Sequence, residues 1–199
     1  METERRILTA ASSKFAETGY VGTSLEAIAN AAGVSPRTVY KVFGTKVRLL
    51  SRLVDVSMVG DQEAVPVAGR SWALDAFSAP TGAERVTAFA AAIRRVMESA
   101  GAVFRTAAQA AAADTEASAL WRLGQDRRQQ DAAAFIAALH HASQLRSDRT
   151  PEEASASVWL LTSPETYLQL TDGLAWGPDQ YERWLRQSMF DLLLGHDAG

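Results

Sequence analysis

Between Ser35 and Lys46 the chain reads Ser-Pro-Arg-Thr-Val-Tyr-Lys-Val-Phe-Gly-Thr-Lys, a stretch crowded with groups that bind anions and nucleobase edges. Arg37 can grip guanine through two parallel hydrogen bonds, and Thr38 can touch a thymine methyl or donate to a base. Tyr40 and Lys41 have the reach and the donors for phosphate oxygens. Lys46 stands in the first turn of a predicted helix, where free backbone N–H groups already favour an anion. Thr23, Ser24 and Ser35 add hydroxyls that serve equally well as phosphate donors or as helix caps. Pro36 either packs against a base methyl or only starts a helix, at the position where its missing N–H costs nothing.

The rest of the chain offers little chemistry. Without cysteine there are no disulfides, thiol nucleophiles, thiolate zinc sites or iron–sulfur clusters. His140 and His141 are adjacent, so on a helix they point about 100° apart and cannot grip one metal together. Asp114 and Glu116 lie close in sequence but read as the start of a helix. GxSxG, Walker, GxGxxG and HExxH motifs are all missing. The expectation is a protein that is not an enzyme and uses no cofactor or metal.

The elements that must position the Ser35–Lys46 stretch are helical, and the fold class expected is all-α with about nine helices. Ile7, Leu8, Ala11 and Phe15 recur at helical spacing, predicting a first helix from about Glu4 to Glu17 that Gly19 stops. A second helix opens at Thr23 or Ser24, through either a Thr23-x-x-Glu26 capping box or Ser24 alone, and buries Leu25, Ile28, Ala29 and Ala32 before Gly33 breaks it. Ser35 caps a short third helix with Val39 and Phe43 facing inward, and Gly44 ends it. Thr45 caps a fourth, from Lys46 to about Asp61. Two short helices joined by a turn of about three residues containing glycine, the second presenting bases outward, is the spacing of a helix-turn-helix. The small Ala29, Ala31 and Ala32 let the two approach closely.

Beyond Gln62 the pattern weakens to Gly82, a loop or partly helical connector. Helices are then expected over about 83–99, 102–113, 115–143, 152–171 and 178–194, with Pro164 kinking the fourth of these or shifting its register. No stretch approaches the apolar length of a membrane span, and the N-terminus lacks an apolar signal core, so a soluble cytoplasmic protein is expected. The net charge is −3, yet up to Leu50 seven bases (Arg5, Arg6, Lys14, Arg37, Lys41, Lys46, Arg48) face four acids (Glu2, Glu4, Glu17, Glu26). A basic head on an acidic body suggests a local polyanion site.

Thr23-Ser24, Ile28-Ala29, Ala32-Gly33-Val34-Ser35, Thr38-Val39-Tyr40 and Phe43-x-x-Lys46 together resemble the TetR family of bacterial regulators, in the family's order and spacing. The run from Ser157 to Gly195 also looks like the last two helices of many members, whereas the middle matches only as helical and alanine-rich. Pro36-Arg37, where a small residue often takes the second position, and Val42, in place of a common histidine, depart from the pattern.

The resemblance implies a DNA-binding head over residues 1–48 and a ligand-sensing, dimerising body over 49–199. It implies a homodimer on a palindromic double-stranded operator, acting as a repressor that a small-molecule effector releases. The alternative is a helix-turn-helix regulator controlled by a protein partner or without small-molecule input. Expected DNA contacts are Thr23, Ser24, Ser35, Pro36, Arg37, Thr38, Tyr40, Lys41 and Lys46. Phe89, Ile93, Met97, Phe104, Trp121, Phe135, Leu139 and Trp159 either line a ligand cavity or fill the core. Val158, Leu161, Tyr167, Trp184, Leu185 and Met189 either form the dimer interface or pack within their own chain.

Overall fold

The structure is a computed structural model that describes residues 2–59 and 69–194. Its described residues form ten α-helices and one π turn, with no strand. In order they are α1 (Glu2–Gly22), α2 (Leu25–Ala32), α3 (Pro36–Phe43), α4 (Lys46–Val59), α5 (Ser71–Ser78), α6 (Gly82–Ala113), α7 (Thr115–His141), α8 (Pro151–Leu161), α9 (Pro164–Leu168), the π turn (Gln169–Gly173) and α10 (Pro178–Leu193). None is long and apolar enough to cross a membrane.

The described residues within 1–62 and 99–124 make one compact unit, and those within 63–98 and 125–199 make the other. The first is organised by apolar residues three and four apart. Ile7, Leu8, Ala11 and Phe15 of α1 meet Leu25, Ile28 and Ala29 of α2, Val39 and Phe43 of α3, and Leu49, Leu50 and Leu53 of α4 in one buried cluster. Val103 and Ala110 of α6 and Ala117 of α7 complete it. α4 and the 99–124 segment thus share the core of the three N-terminal helices.

In the second unit, Tyr181, Leu185, Met189 and Leu193 recur every fourth residue along α10 and are all fully buried. Ala154 and Val158 of α8 are buried in the same unit, and Phe89 stacks on Phe135 with ring centres 4.1 Å apart.

Several boundaries differ from expectation for local reasons. Gly19 does not stop α1. It adopts φ 70° and ψ 178°, a backbone open essentially to glycine alone, and kinks a helix that resumes to Gly22. Gly101, expected at a break, lies buried inside a continuous α6. The connector holds α5, while its part before Gly69, like the expected end of α4 at Asp61, lies outside the described residues. Pro164 neither kinks a helix nor shifts its register. It opens α9 at the first helical position, with Ser163 accepting from the Thr166 N–H.

Candidate nucleic-acid interface

The tight turn between α2 and α3 is built by Gly33, Ser35 and Arg6. Gly33 sits in the left-handed region (φ 63°, ψ 38°) and donates its N–H back to the Ala29 and Asn30 carbonyls, closing α2. Arg6 of α1 donates to the Ala32 carbonyl at 2.6 Å and the Gly33 carbonyl at 3.3 Å, placing a cation at the negative end of α2. A β-carbon on Gly33 would stand 2.8 Å from the Arg6 guanidinium, so backbone conformation and space both require glycine. Ser35 then caps α3: its Oγ accepts from the Thr38 N–H at 3.1 Å and pairs with the Thr38 hydroxyl at 2.8 Å.

With Val39 and Phe43 buried, α3 turns Pro36, Arg37, Tyr40 and Lys41 outward. Arg37 and Lys41 are one helical turn apart and share a face. Most bases of the first unit are already engaged within it. Arg5 pairs with Glu2, Lys14 with Glu17, Arg52 with Glu4, and Arg6 with the turn. Arg37, Lys41 and Arg48 are exposed and meet no acid within 4 Å among the described residues. They concentrate the uncompensated positive charge of the head on α3 and the first turn of α4. Arg48, counted in the sequence among the bases of the head, was not among the expected contacts, although its place two residues after Lys46 in a helix's first turn was a usable signal.

Other expected contacts are placed differently. Thr23 is only 2 % exposed. Its hydroxyl donates to the Gly19 and Lys14 carbonyls and meets the Thr18 hydroxyl, so it ties the kinked end of α1 together and presents no free edge to a phosphate. Ser24 alone caps α2, accepting from the Ala27 N–H at 3.1 Å, and it is exposed. Glu26, free of any capping box, accepts the Tyr40 hydroxyl proton at 2.9 Å. This bond raises the pKa of Tyr40, while the Glu26 backbone N–H and then this bond lower that of Glu26.

Lys46 is half-buried. It donates to the Tyr20 and Thr23 carbonyls at 2.8 and 2.9 Å and lies 4.1 Å from the centre of the Tyr20 ring. Two of its three donors therefore join α4 to the α1–α2 junction. Burial lowers its pKa, opposed by the charge of Asp114. Asp114 caps α7 through the N–H groups of Glu116 and Ala117 and accepts the Tyr20 hydroxyl at 3.5 Å. Burial, and then the Asp114 charge, push Tyr20 up to about 12.

The expected cavity residues are shared between the two units. Phe104 and Trp121 belong to the first unit, whereas Phe89, Ile93, Met97, Phe135, Leu139 and Trp159 belong to the second. Among the expected interface residues, Val158, Leu185 and Met189 are fully buried in their own chain, and Tyr167 nearly so. They are core, because the last helices turn their richest apolar stripe inward. Leu161 and Trp184 keep partial exposure, and Leu160, not anticipated, is 60 % exposed. His140 and His141 are both exposed.

A short cap-positioned helix, locked across a glycine turn and carrying unpaired bases outward, defines a helix-turn-helix DNA-binding regulator. Residues 7–53 match the model of the family described as bacterial regulatory proteins, tetR family. Over residues 7–53 the chain therefore carries the DNA-binding domain of TetR-family transcriptional regulators. No curated protein matches it. Solved structures with the same fold include native NalD, the secondary repressor of the MexAB-OprM multidrug efflux pump in Pseudomonas aeruginosa (23% identity, TM-score 0.71, covering 99% of this chain and 98% of that one). They also include a SmeT–triclosan complex (15%, 0.76, 100% and 95%). A third is a transcriptional regulator from Saccharomonospora viridis in complex with choline (18%, 0.73, 98% and 99%).

Proposed function

We propose that this protein is a cytoplasmic, homodimeric repressor that binds a palindromic operator through α3 and leaves it when a small molecule occupies the body. The observation that carries the DNA-binding part is the concentration of unpaired bases at Arg37, Lys41 and Arg48 on a helix whose other face is locked into the core. On this reading Arg37 and Thr38 meet base edges, with Pro36 beside them. Tyr40, Lys41, Arg48, Ser24 and Ser35 serve phosphates, Tyr40 by exchanging Glu26 for a phosphate oxygen. Lys46 keeps one N–H for a phosphate while its other two hold the head together.

Two structures of the same fold hold small molecules, triclosan and choline, which supports a ligand-binding body. α6 and α7 each contribute residues to both compact units, so a change in the second is carried by continuous helix into the first. Ligand and operator then act on one equilibrium, each favouring a different state. The dimer would use the outer side of the last helices, where Leu160, Leu161 and Trp184 leave apolar surface accessible.

Analytical ultracentrifugation should show a dimer at micromolar concentration. Replacing Lys41 or Arg48 by alanine should lower the salt slope of DNA binding by about one unit each. Replacing Arg37, Lys41 and Arg48 together should abolish binding with unchanged helical content. A triple variant that binds as wild type would remove α3 from the interface.

A further inference from the structure

The second unit holds hydrogen-bond donors that its own fold leaves idle. Arg128 of α7 is half-buried and donates to the Trp159 carbonyl at 2.8 Å and to Gln125 Oε1. No carboxylate lies within 4 Å of it among the described residues. Glu165 and Asp131 act on it only through space, and Glu165 accepts instead from Gln125 at 3.4 Å. Its guanidinium carbon lies 5.8 Å from the centre of the Trp159 ring. The Trp159 indole N–H is shut off from solvent and meets no acceptor, and the same holds for the hydroxyl of Tyr181, a residue fully buried in this unit. Arg128 and Tyr181 are near enough for each to act on the other's ionisation. Tyr181 meets the Tyr167 ring edge-on at 4.9 Å and lies beside Trp184 at 6.1 Å.

Buried polar groups in folded proteins are paired almost without exception, and an unpaired one costs stability. The three groups here have one chemistry in common. A guanidinium and an indole N–H can only donate, and a phenol donates readily. Their complement is an acceptor, and a guanidinium with no carboxylate in contact selects an anionic one, best a planar carboxylate. The aromatic faces around them suit a flat apolar ring. They would also suit a quaternary ammonium, but an arginine with no carboxylate in contact repels a cation.

The backbone linking Tyr167 to Tyr181 is irregular. α9 passes into the π turn, and Ala175 holds a left-handed φ of 55°. Such features gather at binding sites, where the chain must adjust around a ligand.

We propose that the second unit binds a small aromatic carboxylate, its oxygens taken by Arg128, the Trp159 indole N–H and the Tyr181 hydroxyl, and its ring by the neighbouring aromatic faces. This rests on the reading of the body as a ligand sensor and names the ligand's class.

The test is calorimetric titration of the full-length protein with benzoate, benzamide and choline, alongside operator binding with and without benzoate. Benzoate should bind saturably with a Kd of about 1 mM or tighter, and benzamide and choline at least tenfold more weakly. Arg128→Gln should weaken benzoate tenfold or more. Tyr181→Phe should weaken it about tenfold while its melting temperature without benzoate equals or exceeds that of wild type, since it deletes an unpaired buried hydroxyl. No benzoate heat at 10 mM (on the order of ten times the weakest Kd expected), choline binding more tightly than benzoate, or full affinity in Tyr181→Phe would each overturn the assignment. If benzoate binds through Arg128 but leaves operator affinity unchanged, the site stands and the sensor reading falls. If choline releases the operator and benzoate does not bind, the sensor reading stands and the carboxylate assignment falls.

Discussion

The two compact units treat their polar groups in opposite ways. In the head nearly every buried or half-buried donor is matched inside the unit: Thr23 with the Gly19 and Lys14 carbonyls, Lys46 with the Tyr20 and Thr23 carbonyls, Arg6 with the turn. What it leaves unmatched is charge on its surface, at Arg37, Lys41 and Arg48. The body leaves unmatched groups in its interior, the Trp159 indole N–H and the Tyr181 hydroxyl, beside an arginine with no carboxylate in direct contact. A part that reads a rigid polyanion gains from internal satisfaction, because its reading helix must be held before DNA arrives. A part that encloses a mobile ligand gains from interior groups that only the ligand completes.

The contrast can be broken at several points. The largest expected effect is Leu185→Asp. This fully buried side chain belongs to the second unit's own core, and a carboxylate there should cost about 4 kcal/mol or more and unfold the unit. Circular dichroism should show loss of the cooperative melt. A variant that stays folded and merely dissociates from dimer to monomer would instead put Leu185 in an intermolecular interface.

Lys46→Ala comes next. It leaves the Tyr20 and Thr23 carbonyls without their shared donor, so thermal unfolding should show a loss of about 1–3 kcal/mol, along with weaker DNA binding. Unchanged stability with a salt slope lowered by one would make Lys46 a phosphate contact and nothing more.

The smallest effect concerns Tyr20. Because its folded pKa is raised to about 12 from the usual 10, the neutral phenol favours the fold. That contribution is complete below pH 10 and is lost as pH rises towards 12, when a tyrosinate would face Asp114. The melting temperature should therefore fall more steeply between pH 10 and 12 in wild type than in Tyr20→Phe. Parallel curves would mean that Tyr20 ionises freely.

The legibility of the sequence follows the same division. In the head, caps, glycines and apolar spacing all act within a few residues, so the three helices, the turn and the inward Val39 and Phe43 were readable. Partners more than about twenty residues away were not: nothing in the local pattern ties Lys46 to the Tyr20 carbonyl or Arg6 to the Ala32 carbonyl. In the body, periodicity located helices but not which face of α10 turned inward. Tyr181, Leu185 and Met189 mark the inner stripe only once the structure shows what covers them. Pro164 was seen as a disturbance, and Ser163 before it was the overlooked sign of a new helix start. Arg128 gave no signal, since an arginine in a polar stretch reads as solvated until burial and the lack of a carboxylate in contact are known.

In the proposed function α3, locked from behind and basic in front, reads DNA as one half of a pair. The most direct measurement is selection from a random duplex library with the full-length protein at physiological salt, repeated with Arg37→Ala. Wild type should enrich an inverted repeat whose half-sites are about one helical turn apart, and Arg37→Ala should lose discrimination at one base pair per half-site at a cost of about 1–3 kcal/mol. Failure of wild type to enrich any sequence over the starting pool, or an identical enriched motif from Arg37→Ala, would contradict it.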